Sequence, residues 1–223
     1  MRMPHLNCAL AAVMFAVALR SNPVIAATGL PCADLAGLTL PNTTLTLAQE
    51  VRSGTLTVAV PPAFVPRTIN GLPPFCRVAG VIKPTDDSNI QFELWLPLAN
   101  WNGRFAGVGN GTTAGSIIYA PIGTLTDSLA VQLSRGYAVA NSDMGHPADV
   151  DPSRFGFDHP EQLIDFGTRA THELTLKGKA ITRSFYGKDP THSYWYGCST
   201  GGRQGLIEIT KFPEDFDAAT VAG

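Results

Sequence analysis

From residue 89 onward the chain alternates between two hydrophobic rhythms, one of period two and one close to 3.6. Ile90-Gln91-Phe92-Glu93-Leu94-Trp95-Leu96 places apolar side chains at every second position, as a half-buried strand does. Residues 104–108 read as the next strand. Residues 126–135 fit a helix closed by Gly136, and Tyr137-Ala138-Val139-Ala140 is a buried strand. A long helical pattern covers residues 162–186, and a strand-like run follows from His192 to Tyr196. Helical spacing returns over Gly202 to Ile209, before the strand-like Ala218-Ala219-Thr220-Val221-Ala222. Strands that alternate with helices predict an α/β fold with a parallel sheet covered on both faces. Residues 28–87 differ. They are rich in Thr, Pro and Gly, with a short β-like piece at 55–60 and proline pairs at Pro61-Pro62 and Pro73-Pro74, and read as an N-terminal extension of short strands and loops.

Where the last long strand gives way to helix stands Gly197-Cys198-Ser199-Thr200-Gly201, which satisfies G-x-S-x-G. A turn this tight between strand and helix holds the serine in a strained backbone conformation, and the flanking glycines remove side chains that would collide there. Ser199 is therefore the candidate nucleophile, its hydroxyl clear of the sheet. An oxyanion hole in such a turn takes the N–H after the nucleophile, that of Thr200, and a second N–H from a glycine-rich loop after an earlier strand. Gly107-Val108-Gly109-Asn110-Gly111 fits that loop, with Gly111 or Asn110 as the donor. No Gly-Lys-Ser/Thr ending follows it, as a phosphate-binding loop would need.

Composition narrows the partners. The 223 residues carry a net charge of -2, and 15% are charged, against about 25% in an average soluble protein. Such a surface offers no basic field for nucleic acid, so a small-molecule substrate is expected. At the N-terminus, Arg2 and His5 precede an apolar run from Ala9 to Leu19 and small residues at Ala26 and Ala27, the pattern of a signal peptide over residues 1–27. The run is too short to span a bilayer. Cys8 lacks a convincing lipoprotein context, so a secreted or periplasmic mature chain without a membrane anchor is expected. Export permits disulfides. Loss of Cys8 leaves Cys32, Cys76 and Cys198, and a Cys32–Cys76 bridge closing about 45 residues would stabilise by roughly 4 kcal/mol. Cys198 is then odd.

Tyr196-Gly197-Cys198-Ser199-Thr200-Gly201-Gly202-Arg203-Gln204 closely resembles the nucleophile segment of the tannase and feruloyl esterase family, which includes MHETase-like hydrolases. Three earlier segments resemble the same family in the same order: Trp101-Asn102-Gly103-Arg104-Phe105 leading into the glycine loop, Asn141-Ser142-Asp143-Met144-Gly145-His146, and 165–173. The resemblance implies an α/β-hydrolase fold over residues 88–223 and a secreted serine esterase of aromatic, feruloyl- or galloyl-type esters. It also implies a bridge from Cys198 to a cysteine beside the catalytic histidine, and a calcium ion in a lid segment. This sequence contains neither the partner cysteine nor that lid, so no metal or cofactor is assigned to it.

Serine catalysis needs a base, and in α/β-hydrolases the acid and histidine follow the serine. No histidine follows Ser199. Asp215 and Asp217 come too soon after the nucleophile helix to serve as the acid. Of the upstream histidines, His146 reads as a structural loop residue despite Asp143 nearby, and His172 as a half-buried helix residue bonded to backbone or Glu173. His159 and His192 read as surface residues. The expectation is an N-terminal portion of a longer esterase, inactive by itself and lacking the lid and carboxyl-terminal half. A non-catalytic hydrolase-fold binding protein and a secreted serine peptidase are the alternatives.

Overall fold

The computed structural model describes residues 28–60, 65–122, 126–148 and 154–223. The expected signal peptide, residues 1–27, lies outside the described residues. A 3-10 turn at Cys32–Gly37 leads into β1 (Thr43–Val51), and the hairpin β2 (Thr55–Val60) and β3 (Val65–Asn70) follows. Then come β4 (Phe75–Ile82), β5 (Ile90–Pro97), β6 (Arg104–Val108), α1 (Leu129–Ser134) and β7 (Ala138–Ser142). The remainder is α2 (Pro160–Ile164), a π-helical turn (Asp165–Arg169), α3 (Ala170–Tyr186), β8 (His192–Cys198), α4 (Thr200–Lys211) and β9 (Ala218–Ala222).

Seven strands form one sheet in the order β1-β4-β5-β7-β6-β8-β9. The expected parallel sheet holds for β7, β6, β8 and β9, whereas β1, β4, β5 and β7 pair antiparallel. Connection length explains the change. Between β5 and β6 lie only residues 98–103 with no helix, too few for a crossover, so the chain reverses; β6 to β7 and β7 to β8 each have a helix and keep direction. Residues 28–87, read as short strands and loops, supply β1 and β4 to this sheet and the separate β2–β3 hairpin.

Period-two alternation sends side chains to two cores. On one face Val78, Ile82, Phe92, Leu94, Phe105, Ala140 and Trp195 pack beneath α3 residues Ala170, Leu174 and Ile181. On the other, Phe75, Trp95, Ala106, Val108 and Val139 pack under α1 residues Leu129 and Leu133 and the β2–β3 hairpin residues Val58 and Ile69. The expected bridge is present: Cys32 and Cys76 are disulfide-bonded, with Cα atoms 5.7 Å apart, and fasten the 3-10 turn to β4.

Two helices depart from the sequence reading. The one expected over residues 126–135 starts at Leu129, because Ser128 is its cap: Ser128 Oγ accepts the Val131 N–H at 3.3 Å. Gly136 ends it with φ 82°. The pattern over 162–186 is one path broken by the π turn, whose wider coil leaves the Phe166 and Gly167 carbonyls to the Arg203 guanidinium of α4, at 3.1 and 3.2 Å. Among the described residues, no helix is long and apolar enough to cross a membrane.

Candidate active site

The chain leaves β6 for α1 and β7 on one side, while β8 lies on the other side of β6. The loops at the carboxyl ends of β6 and β8 are therefore adjacent, at the position where open α/β sheets form their crevice. Ser199 sits at the β8–α4 junction with φ 58° and ψ -122°, a region a side chain enters only under constraint from its surroundings. Three backbone bonds supply that constraint. Ser199 N–H donates to Ala222 O at 2.9 Å, Gly201 N–H to Asn110 O at 2.7 Å and Gly109 N–H to Tyr196 O at 2.8 Å. Trp195, buried under the turn, donates its indole N–H to Gly201 O at 2.8 Å. A Cβ on Gly109 would strike Gly201 Cα, and one on Gly197 would strike the Gly201 carbonyl, so the motif glycines are required by contact. Ser199 itself is exposed.

The helix start and the glycine loop frame the space beside it. Thr200 opens α4, so its N–H has no carbonyl four residues back to bond within the helix. Its hydroxyl donates to Thr112 O. In the loop after β6, the Asn110 N–H is already taken by Gln204 Oε1 at 2.9 Å. Gly111 is the next residue; among the described residues its N–H and that of Thr200 are bonded to no other group. Asn110 is 1% exposed, and its amide donates to the Ser116 and Ser142 carbonyls at 2.9 Å each. Thr112 and Ala114 hold φ of 50° and 64°, a tightly bent continuation of the loop.

Among the described residues, the other sequence candidates make no side-chain hydrogen bond to the serine. Cys198 is a free, half-buried thiol at the end of β8. His146 is buried, its ring stacked on Phe155 at 3.9 Å, and burial lowers its pKa. Its neighbour Asp143 accepts from the Gln91 and Gly145 N–H groups at 3.0 and 2.9 Å, yet burial pushes its pKa up to about 8. His159 meets Asp87 Oδ1 at 2.5 Å and His192 is exposed at the start of β8. His172 bonds neither backbone nor Glu173: its Nδ1 meets Asp215 Oδ2 at 2.6 Å, while Glu173 pairs with Lys177. Asp217 accepts the Ser193 N–H at 2.7 Å. Among the described residues, no histidine is hydrogen-bonded to Ser199.

His172, Asp215 and Glu208 also bring ligand-type atoms within 4.8 Å of one another. Lys179 already supplies a positive charge there, its ammonium donating to Asp215 O. Along α4 and β9 runs an apolar groove of about 650 Å³, lined by Ser199, Arg203, Leu206, Ile207 and Val221 among others. The Asn110–Gln204 pairing was missed by sequence reasoning. Both residues lie in the motifs, but nothing in the sequence joins positions 94 apart.

Comparison with known proteins agrees with this geometry. A profile described as "Tannase and feruloyl esterase" matches residues 76–222. An uncharacterized esterase of Xanthomonas campestris is 40% identical over 186 residues, 83% of this chain and 30% of its own length. Feruloyl esterase B of Aspergillus niger is 35% identical over 190 residues, 85% of this chain and 34% of its own. The crystal structure of feruloyl esterase B from Aspergillus oryzae superposes with a TM-score of 0.74 at 32% identity, covering 85% of this chain and 36% of that one. The chain thus spans about a third of the length of the relatives it matches. Its sheet and elbow are those of an α/β-hydrolase, and by profile and by identity the chain belongs to the tannase and feruloyl esterase family.

Proposed function

We propose that this chain carries the nucleophile and oxyanion hole of an exported serine esterase acting on feruloyl- or galloyl-type aromatic esters. The observation that carries the reading is the Ser199 backbone, held at φ 58° and ψ -122° on an exposed turn between β8 and α4. Ser199 Oγ attacks the ester carbonyl, and the oxygen that gains charge takes the N–H groups of Thr200 and Gly111. Donors fixed before reaction cost no reorganisation, and the loss of one typically costs roughly 3–4 kcal/mol of transition-state stabilisation. The tetrahedral intermediate collapses with cleavage of the ester C–O bond, the alcohol leaves with the proton taken from Ser199, and water then hydrolyses the acyl-enzyme to release the acid. Base and acid remain to be supplied from outside the described contacts of Ser199, because among the described residues no histidine is hydrogen-bonded to it. Feruloyl esterases among the relatives support the substrate class, and the Cys32–Cys76 disulfide supports export.

The test is the product of the complete reading frame, assayed with methyl ferulate, methyl gallate and a long-chain fatty ester. Ferulate or gallate should have the highest specificity constant, and Ser199→Ala should abolish turnover of both. Turnover that survives Ser199→Ala removes the nucleophile assignment. A faster fatty ester moves the enzyme to lipid substrates, and protease activity without esterase activity moves it to peptides.

A further inference from the structure

The side chain of Gln204 reaches from the second turn of α4 across to the loop after β6, although nothing in the reaction requires a glutamine there. It is 2% exposed. Its Oε1 accepts the Asn110 backbone N–H at 2.9 Å, and its Nε2 donates to Asn110 Oδ1 at 3.1 Å, so one amide grips both the backbone and the side chain of one residue. The far side of the Gln204 amide is anchored on Met144 Sδ and, at 3.5 Å, on Thr171 Oγ1. Asn110 in turn holds the carbonyls of Ser116 and Ser142.

The consequence is a choice among donors. Successive N–H groups in a bent glycine loop compete to face the crevice, and an unbonded Asn110 N–H would be a rival for the substrate oxygen. Gln204 removes that rival and fixes the peptide plane that precedes the Gly111 N–H. Because Gln204 and Thr200 lie on the same helix, the grip also sets the spacing between the two proposed oxyanion donors.

We propose that Gln204 is the positioning residue of the oxyanion hole, acting through Asn110 to select the Gly111 N–H and hold it in register with that of Thr200. This rests on Ser199 as the nucleophile. Gln204 touches no reacting atom. Its removal should therefore lower the rate of the step that builds charge on the carbonyl oxygen and leave ground-state binding of the ester nearly intact.

The experiment compares wild type, Gln204→Met and Gln204→Glu in the full-length protein. Met matches the glutamine in size and lacks both hydrogen-bonding functions. A buried Glu is held protonated by desolvation at mildly acid pH and reproduces both functions, acceptor and donor. Gln204→Met should lose about 10- to 100-fold in kcat for an aryl acetate and in the rate at which an aryl phosphonate labels Ser199, with KM changed less than about twofold. Gln204→Glu should recover most of the loss near pH 5. Hydrogen exchange in Gln204→Met should quicken in the loop after β6 and not along α3. A Gln204→Met enzyme with wild-type kcat and labelling rate overturns the inference, as does a rate loss that Glu fails to recover although the variant folds. Failure of the wild type to be labelled at Ser199 overturns the nucleophile reading instead. Loop exchange in Gln204→Met then decides whether the grip exists, and exchange unchanged from wild type overturns that as well.

Discussion

Glu93 and Glu208 are both buried carboxylates, one beneath each face of the sheet, and their surroundings are opposite. Glu93, on the α1 face, meets four donors: Arg77 Nε at 2.9 Å, a second Arg77 nitrogen, Trp95 Nε1 at 2.7 Å and Tyr119 Oη at 2.7 Å. Glu208, on α4, is fully buried, and among the described residues neither carboxylate oxygen meets a donor. Burial, and then the neighbouring Asp215, push its pKa up to about 9. Around it stand His172 and Lys179 from α3 and Asp215 from the turn before β9. The difference shows two ways of tolerating a buried acid. One surrounds the charge with donors, and the other keeps a proton on it.

The largest expected effect comes from stripping the donors. Arg77→Leu leaves the Glu93 charge buried without its ion partner, and should cost about 3–5 kcal/mol of stability in urea denaturation. A loss below about 1 kcal/mol would show that the two acids are not held differently.

Titration gives the next effect, compared per unit of pH. The folded pKa of Glu208 lies above its ordinary value of 4.5, so folding binds the proton more tightly than unfolding does. Its stabilising contribution is complete below the unfolded pKa and is lost as pH rises towards about 9. Stability should fall across that window by at most roughly 1.4 kcal/mol per pH unit for this one group. Asp143, raised from 3.8 to about 8, adds a loss of the same sign. Glu208→Gln should flatten the slope, and equal slopes in the two proteins would place the proton elsewhere.

Smallest is Tyr119→Phe, which withdraws one donor of four from Glu93 and should cost about 1 kcal/mol. The same urea curves measure it, and a cost approaching that of Arg77→Leu would make the hydroxyl, not the guanidinium, the main support of Glu93.

These environments were not legible in the sequence, although much else was. Local rules found β5, β7, β8 and α4, because period and turn chemistry are properties of neighbouring residues. The elbow at Ser199 was legible because strand, glycine spacing and helix meet within a few positions. Sheet direction was read only in part, since the short link between β5 and β6 decides it and the strand pattern does not. The partners of His172, Glu93 and Asn110 lie 43, 16 and 94 positions away, and spacing rules do not reach pairs that meet only in the folded chain.

The bridge between Cys32 and Cys76 also governs how damage to the chain becomes visible. Hydrolysis of a peptide bond anywhere between those positions yields two pieces that sulfur still holds together. Under non-reducing electrophoresis a nicked molecule would migrate as a single species, and its cleavage would appear only after a thiol reductant. Strands β2 and β3 lie wholly inside that covalent ring, so a cut within either of them releases neither side from the molecule.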